Sequence, residues 1–239
     1  MRDYGFPEYI PVAKKKENAQ KSLEKLRKKN PNISPVIIDR KLISEKWWGK
    51  AWNKNLESYA DLRNRIGRGR SYVRHGAVLD LQIKKGKIEA LVQGSSSRPY
   101  SIVIQIDKLD NKIWESVLEI CNHRIDTMET LISGEFPKEF DELFKASKNG
   151  LFPCPKEIHF NCSCPDSATV CKHVAAVLYG VGARLDKDPI LFFKLRDIDF
   201  EELLKKSMES KMQSMLKNAD KKSTRVIDDD EAFDLFGLD

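Results

Sequence analysis

The spacing of hydrophobic positions changes repeatedly along the chain, and each change predicts an element. Across residues 13–29, Ala19, Leu23 and Leu26 recur at helical steps, which predicts a helix. An arm rich in Tyr4, Phe6, Pro7, Tyr9 and Pro11 precedes it, and its prolines preclude regular helix. Residues 30–35 hold two prolines and two asparagines and mark a break, with a short strand expected at 36–38. A helix over 44–62 then places Trp48, Trp52, Leu56 and Tyr59 on one face. That face is either a core anchor or a stacking platform for bases. From 71 to 106 the period falls to two. Stretches at 72–73, 77–83, 87–92 and 100–106 alternate, separated by His75-Gly76, Lys85-Gly86 and the segment 94–99. This predicts an antiparallel meander with Leu79, Leu81 and Ile83 on one side and Asp80 and Gln82 on the other. Helical spacing returns at 114–133 and 137–147 and stops at Gly134 and Gly150.

A strand expected at 157–161 leads into the densest chemistry of the chain. Residues 162–173 read Cys-Ser-Cys-Pro-Asp-Ser-Ala-Thr-Val-Cys-Lys-His. Three of the five cysteines and one of the four histidines lie there. Cys162 and Cys164 are two apart in extended chain, so their sulfurs point the same way. Cys171 and His173 fall where a helix over 170–184 begins, carrying Val174, Val177, Leu178 and Val181. In mid-helix, side chains two apart diverge, but in the first turn both can turn to one ion. A helix start also favours the thiolate. Cys162, Cys164, Cys171 and His173 are therefore expected to bind one structural zinc, with no coordination position left for catalysis. His159 is a rival imidazole that the site does not need. Cys121 reads as core and Cys154 as a spare thiol. The fold expected is α+β: an antiparallel β-meander with surrounding helices, a small Cys3His zinc-finger ββα-like element, and C-terminal helices. Of those helices, one is capped by Asp188. The other opens after Asp199 and carries Met208, Met212 and Met215, which are expected to pack. The natural divisions are 1–35, 36–150, 151–217 and an acidic tail at 218–239.

The pattern Cys162-x-Cys164-x6-Cys171-x-His173 resembles the SWIM zinc finger. The similarity extends to Cys-Ser-Cys-Pro-Asp before the loop and Cys-Lys-His-Val-Ala-Ala-Val-Leu-Tyr-Gly-Val-Gly-Ala-Arg-Leu after it. Residues 48–52, 56–59, 68–74 and 150–153 are also similar to bacterial SWIM-type proteins, so the likeness spans about residues 4–200. The resemblance implies association with Swi/Snf-type helicase-like ATPases. It also implies binding of DNA or of other proteins, which is proposed for SWIM domains generally.

Charge adds to this picture. The chain has 239 residues, 33% of them charged, and a net charge of +6. Residues 226–239 carry six acids and no Lys or Arg, so a +12 body bears a −6 tail. That division suggests a polyanionic partner. Residues 63–75 concentrate the feature, with Arg63, Arg65, Arg68, Arg70 and Arg74 interleaved with Gly67, Gly69 and Tyr72. Arginine forks suit phosphate, tyrosine can stack on a base, and glycine admits close backbone approach. These residues, with Lys172 between two ligands, are the expected nucleic-acid contacts, DNA favoured. The alternative is structural, with the arginines paired to Glu57, Asp61 and Asp80. The basic 13–29 helix is either a solvated face or a second polyanion surface. In the tail, Phe233, Leu235 and Phe236 look like a docking segment. They resemble the end of the sliding-clamp-binding motif, and a solubilising or autoinhibitory tail is the other reading. No apolar run approaches the roughly 18 residues of a membrane span, and no secretory h-region is present, so a cytoplasmic protein is expected. No P-loop, zinc-protease or Ser-His-Asp signature occurs, so an enzyme is not expected. The function expected is a zinc-stabilised, nucleic-acid-binding adaptor or accessory subunit of a helicase-like ATPase. The alternative is a protein-interaction module using the tryptophan face and the tail.

Overall fold

A computed structural model of the chain describes residues 10–58, 63–123, 130, 133, 135, 136, 138, 140–145, 150–166 and 168–219. The fold is α+β, as the periodicities predict. The helices are α1 (Val12–Lys29), α2 (Trp47–Ser58), α3 (Arg63–Arg74), α4 (Asn111–His123), α5 (Phe140–Lys145), α6 (Lys172–Leu185), α7 (Ile190–Leu195) and α8 (Phe200–Ala219). The strands are β1 (Val78–Lys84), β2 (Lys87–Val92), β3 (Tyr100–Ile106) and β4 (Ile158–Cys162), in one antiparallel sheet of order β1-β2-β3-β4. The first three form the expected meander. The fourth returns after α4 and α5 and sets Cys162 opposite Ile102. The short strand expected at 36–38 does not form. Instead Val36 N–H donates to Val78 O and Leu81 N–H to Ser34 O, which covers the outer edge of β1.

Ile88, Ala90 and Val92 of β2 and Ile102, Ile104 and Ile106 of β3 are buried, while the residues between them are half-buried or exposed. One face of the sheet is therefore core and the other is partly solvated. Against the core face lies α6, in which every residue but Lys172 and Arg184 is buried. A helix apolar on all sides must sit inside, surrounded by other elements. Here α2, α3, α7 and the sheet surround it. Trp48 and Trp52 are buried, and their indole N–H groups donate to Leu185 O at 2.8 Å and Leu178 O at 2.9 Å. The tryptophan face is thus a core anchor, and these two rings are not open to bases or a partner protein.

Residues 63–75 correct a second expectation. Alternation predicts a strand at 72–73, yet Arg63–Arg74 is helix and the first strand begins at Val78. Gly69 explains the difference. A Cβ there would lie 2.5 Å from Ala175 Cβ and 2.9 Å from the Ala176 nitrogen, so the glycine permits α3 to rest directly on α6. That packing outweighs the weak helix propensity of Gly-Arg-Gly. At the other end of the chain, Met208, Met212 and Met215 of α8 are exposed, together with Leu216, where packing was expected. The sequence period is helical there, but no described element covers that face. Among the described residues, no helix is long and apolar enough to cross a membrane.

Candidate metal centre

The four predicted ligands converge. One ligand atom from each of Cys162, Cys164, Cys171 and His173 lies within 4.8 Å of all the others. Cys162 ends β4, Cys164 follows in the loop, Cys171 is the N-cap of α6 and His173 is in its first turn. Strand pairing sets the first half. Between the two cysteines, Ser163 N–H donates to Ser101 O at 3.0 Å, and Ser163 Oγ accepts from Ser101 N–H at 2.9 Å. The knuckle is thereby fastened to β3. Capping sets the second half, since Cys171 Sγ accepts from Val174 N–H at 3.5 Å.

The arrangement fits zinc. Zn–S and Zn–N bonds of about 2.3 and 2.0 Å in a tetrahedron imply an S-to-N edge of about 3.6 Å. Cys171 Sγ and His173 Nδ1 are 3.7 Å apart. The donor set, three sulfurs and one imidazole, is that of a structural zinc. A hydrogen bond from Cys162, with His173 and the Val174 amide adding to it, holds the Cys171 thiol well below its usual range against the opposing effect of burial. The Cys162 thiol is pushed up, chiefly by Cys171 and then by burial. An ion among the sulfurs would require the thiols to give up their protons. Its chemistry would be cohesion: four protein ligands join the sheet edge to the start of α6. His159 lies apart, exposed and 3.1 Å from Asp107, and Cys154 is also outside the cluster.

Around the ligands stands a supporting shell only part of which was foreseen. Tyr100 and Tyr72 rings lie 4.6 and 5.4 Å from the His173 ring. Gly94 completes the enclosure, because a Cβ there would sit 2.8 Å from His173 Nε2 and 2.4 Å from Tyr100 Cε2. Arg65 Nη1 binds Asp166 Oδ2 at 2.9 Å, tying α3 to the loop between the cysteine pairs. Asp166 Oδ1 in turn accepts from Ala168 N–H at 3.2 Å. The sequence signals for these were the serine between Cys162 and Cys164 and the turn at Gly94.

The expected nucleic-acid residues separate into groups. Arg65 serves the metal loop. Arg70 binds Glu57 and, at 3.2 Å, Tyr179 Oη, so the structural pairing holds at this position. Arg74 is exposed and donates to Lys41 O at 3.0 Å, while Arg68 is exposed with no ion pair among the described residues. Tyr72 is half-buried with Lys172 Nζ 5.9 Å above its ring. The side chain of Arg63 and the tail residues Phe233, Leu235 and Phe236 lie outside the described residues.

Comparison with known proteins adds one relationship. Over 166 residues the chain is 38% identical to the uncharacterized protein Rv2102 of Mycobacterium tuberculosis. The two are homologues. The match covers 69% of this chain and 60% of that protein, so the chain spans less than two thirds of its relative's length. No family model and no solved structure matches.

Proposed function

We propose that the chain is a zinc-clasped nucleic-acid-binding adaptor of the SWIM type. The supporting observation is that folding unites two basic segments far apart in sequence. Lys16 of α1 and Arg70 and Arg74 of α3 line one open groove, with Gly67, Ser71 and His75 between them. Along α1, Lys25 and Arg27–Lys29 extend the charge. A cationic groove of this kind follows a phosphate backbone and releases counterions on binding. The zinc is a clasp that holds the sheet and α6 so that α3 presents its outer face. DNA is the favoured polyanion, and a Swi/Snf-type helicase-like ATPase is the proposed partner, on the likeness to SWIM proteins. The acidic tail, with Phe233, Leu235 and Phe236, is the proposed docking segment, and the sliding clamp is one candidate for it.

The test is the salt dependence of binding to labelled DNA, measured by anisotropy on the zinc-loaded chain. Affinity should fall steeply between 50 and 200 mM salt, by about tenfold or more for several phosphate contacts. The triple variant Lys16→Glu, Arg68→Glu, Arg74→Glu should bind weakly and with a shallower slope. Binding that is insensitive to salt, or unchanged in the variant, overturns the proposal.

The protein-interaction reading also has an observation in its favour, though not at the tryptophans. Met208, Met212, Met215 and Leu216 form an exposed apolar stripe on α8, and methionine faces adapt to varied partners. Co-purification of an ATPase that survives nuclease and high salt but is lost in Met212→Glu would favour that reading.

A further inference from the structure

Beside the clasp, α1 and the 94–97 loop enclose a cleft of about 390 Å³. Its floor holds two polar side chains whose needs the fold does not meet. Gln93 is 9% exposed; its Nε2 donates to Gly94 O at 3.1 Å and Ser96 O at 2.7 Å, while its Oε1 is buried with no partner. His75 is 6% exposed, and its Nδ1 is likewise buried without a hydrogen-bond partner. A buried unmade hydrogen bond is costly, and native proteins keep few. Both belong to side chains that line the cleft, so a ligand offering polar atoms there would satisfy them once the two side chains turn toward it. Burial, then the charge of Lys15, pushes the His75 imidazole below its ordinary range against an opposing hydrogen bond to the Ser71 backbone, and this favours the neutral ring. It can therefore give or accept a hydrogen bond without adding charge. The ring of Tyr72 supplies an aromatic wall 5.0 Å from the ring of His75. At the rim stand Lys21, shared with Glu17 across one helical turn, and Lys25, with Ser96 opposite.

This set has the chemistry of a nucleotide. A planar ring suits the aromatic wall, a polar edge suits Gln93 and His75, and a phosphate suits the lysines. With a volume of about 390 Å³ the cleft has the size of a single nucleotide, and it lies beside the α1/α3 groove, with which it shares His75. We propose that the cleft seats one unstacked nucleotide of a single strand, its base edge at Gln93 and His75 and its phosphate at Lys21 and Lys25. The proposal rests on the nucleic-acid reading above and adds strand type and location to it. Every base has a ring face and a polar edge, so the seat tolerates sequence, and a 2′-hydroxyl is not excluded by it.

The experiment is an amide and side-chain NMR titration of the full zinc-loaded chain with a short single-stranded DNA, the matching RNA, the same DNA as duplex, and a mononucleotide. The expected result is that both single strands shift the Gln93 side-chain amide and the 94–97 backbone amides, while the duplex does not. Lys25 is exposed, so Lys25→Glu should fold normally and weaken single-strand binding about fivefold at low salt. Gln93→Leu should reduce binding while leaving the salt slope unchanged. If oligonucleotides shift only α1 and α3 groove amides such as Lys16 and Arg74, the cleft proposal fails and the groove reading stands. If a mononucleotide binds the cleft as tightly as the oligonucleotide, the ligand is a free nucleotide and the single-strand assignment fails. Absence of any shift with every nucleic acid overturns both.

Discussion

Gly67 and Gly69 lie two residues apart in α3, and alanine at the two positions should shift stability in opposite directions. In a helix interior, Gly→Ala gains about 0.5–1 kcal/mol, because the unfolded chain loses freedom and the helix gains propensity. At Gly67 a new Cβ meets nothing within 4 Å. Gly67→Ala should therefore keep the whole gain. At Gly69 the same methyl would lie 2.5 Å from Ala175 Cβ and 2.9 Å from both the Ala175 carbonyl carbon and the Ala176 nitrogen. Ordinary carbon contacts are about 3.5–4.0 Å. Two of the three neighbours are backbone in the buried middle of α6 and cannot rotate away, so α3 must withdraw by about 1 Å. Overpacking of that kind costs about 1–3 kcal/mol. Set against the propensity gain, Gly69→Ala should be destabilised by about 1 kcal/mol net, and the two variants should differ by about 2 kcal/mol.

For a chain of this length that difference is about 4–8 °C between the two thermal midpoints. It is read from zinc-loaded proteins by circular dichroism and, independently, by urea midpoints. Gly69→Val should lose more than Gly69→Ala, since a β-branched side chain adds both volume and helix strain. A Gly69→Ala midpoint at or above wild type would refute the close contact between α3 and α6. The pair also tests why glycine stands in this arginine-rich stretch. If Gly67 instead serves backbone approach to a phosphate, Gly67→Ala will weaken DNA binding; the helix packing account expects binding unchanged.

Removal of the metal with a chelator should release one zinc per chain, counted by native mass spectrometry. It should also alter tryptophan fluorescence, because Trp48 and Trp52 bond to α6, whose first turn carries two of the ligands. Arg65→Ala should speed zinc loss to a chelator several-fold by freeing Asp166, with little change in the salt slope of DNA binding; a changed slope with normal zinc retention would reverse that assignment. Arg196 is fully buried, bonded to Glu157 Oε1 at 2.7 Å and Asp107 O at 3.1 Å, so Arg196→Met should cost about 3 kcal/mol in urea unfolding. Burial pushes the Glu157 carboxyl up, but Arg196 and the Cys154 amide outweigh it and hold the carboxyl below its ordinary value. A depressed carboxyl stabilises the fold above its unfolded value and loses that contribution as pH falls through the folded one. Wild type should therefore weaken from about pH 4.5 downward, and Arg196→Met should show less of that acid dependence.

The ligand set was legible because metal chemistry constrains both residue type and spacing, and Cys162, Cys164, Cys171 and His173 satisfy both. The meander was legible for a related reason: alternation of side chains and glycine turns are local properties. Residues 63–75 were not, because Gly-Arg-Gly argues for a loop locally and becomes helix only against Ala175 and Ala176, more than a hundred positions away. The exposed Met208, Met212 and Met215 show the converse limit. A helical period states that one face differs from the rest, not that anything covers it. Gln93 and His75 gave no signal, since an unsatisfied buried atom is defined only once every neighbour is in place.

The clasp and the cleft share a wall, and this changes the part the metal plays. Tyr72 touches both His173 and His75, Gly94 abuts His173 and opens the 94–97 loop, and Lys172 lies over Tyr72 between two ligands. A zinc at this site would therefore do more than fasten β4 to α6, because the residues that enclose the His173 imidazole also line the cleft where a nucleotide would sit. Two ligands that bear on one wall are thermodynamically linked. If an occupied cleft holds Tyr72 and the 94–97 loop more firmly, it also tightens zinc binding, and zinc in return raises the affinity of the cleft by the same factor. A remote structural zinc would stabilise the fold without that reciprocity. Zinc affinity measured by competition with a chelator, with and without saturating single strand, distinguishes the two, and equal affinities would confine the metal to the clasp alone.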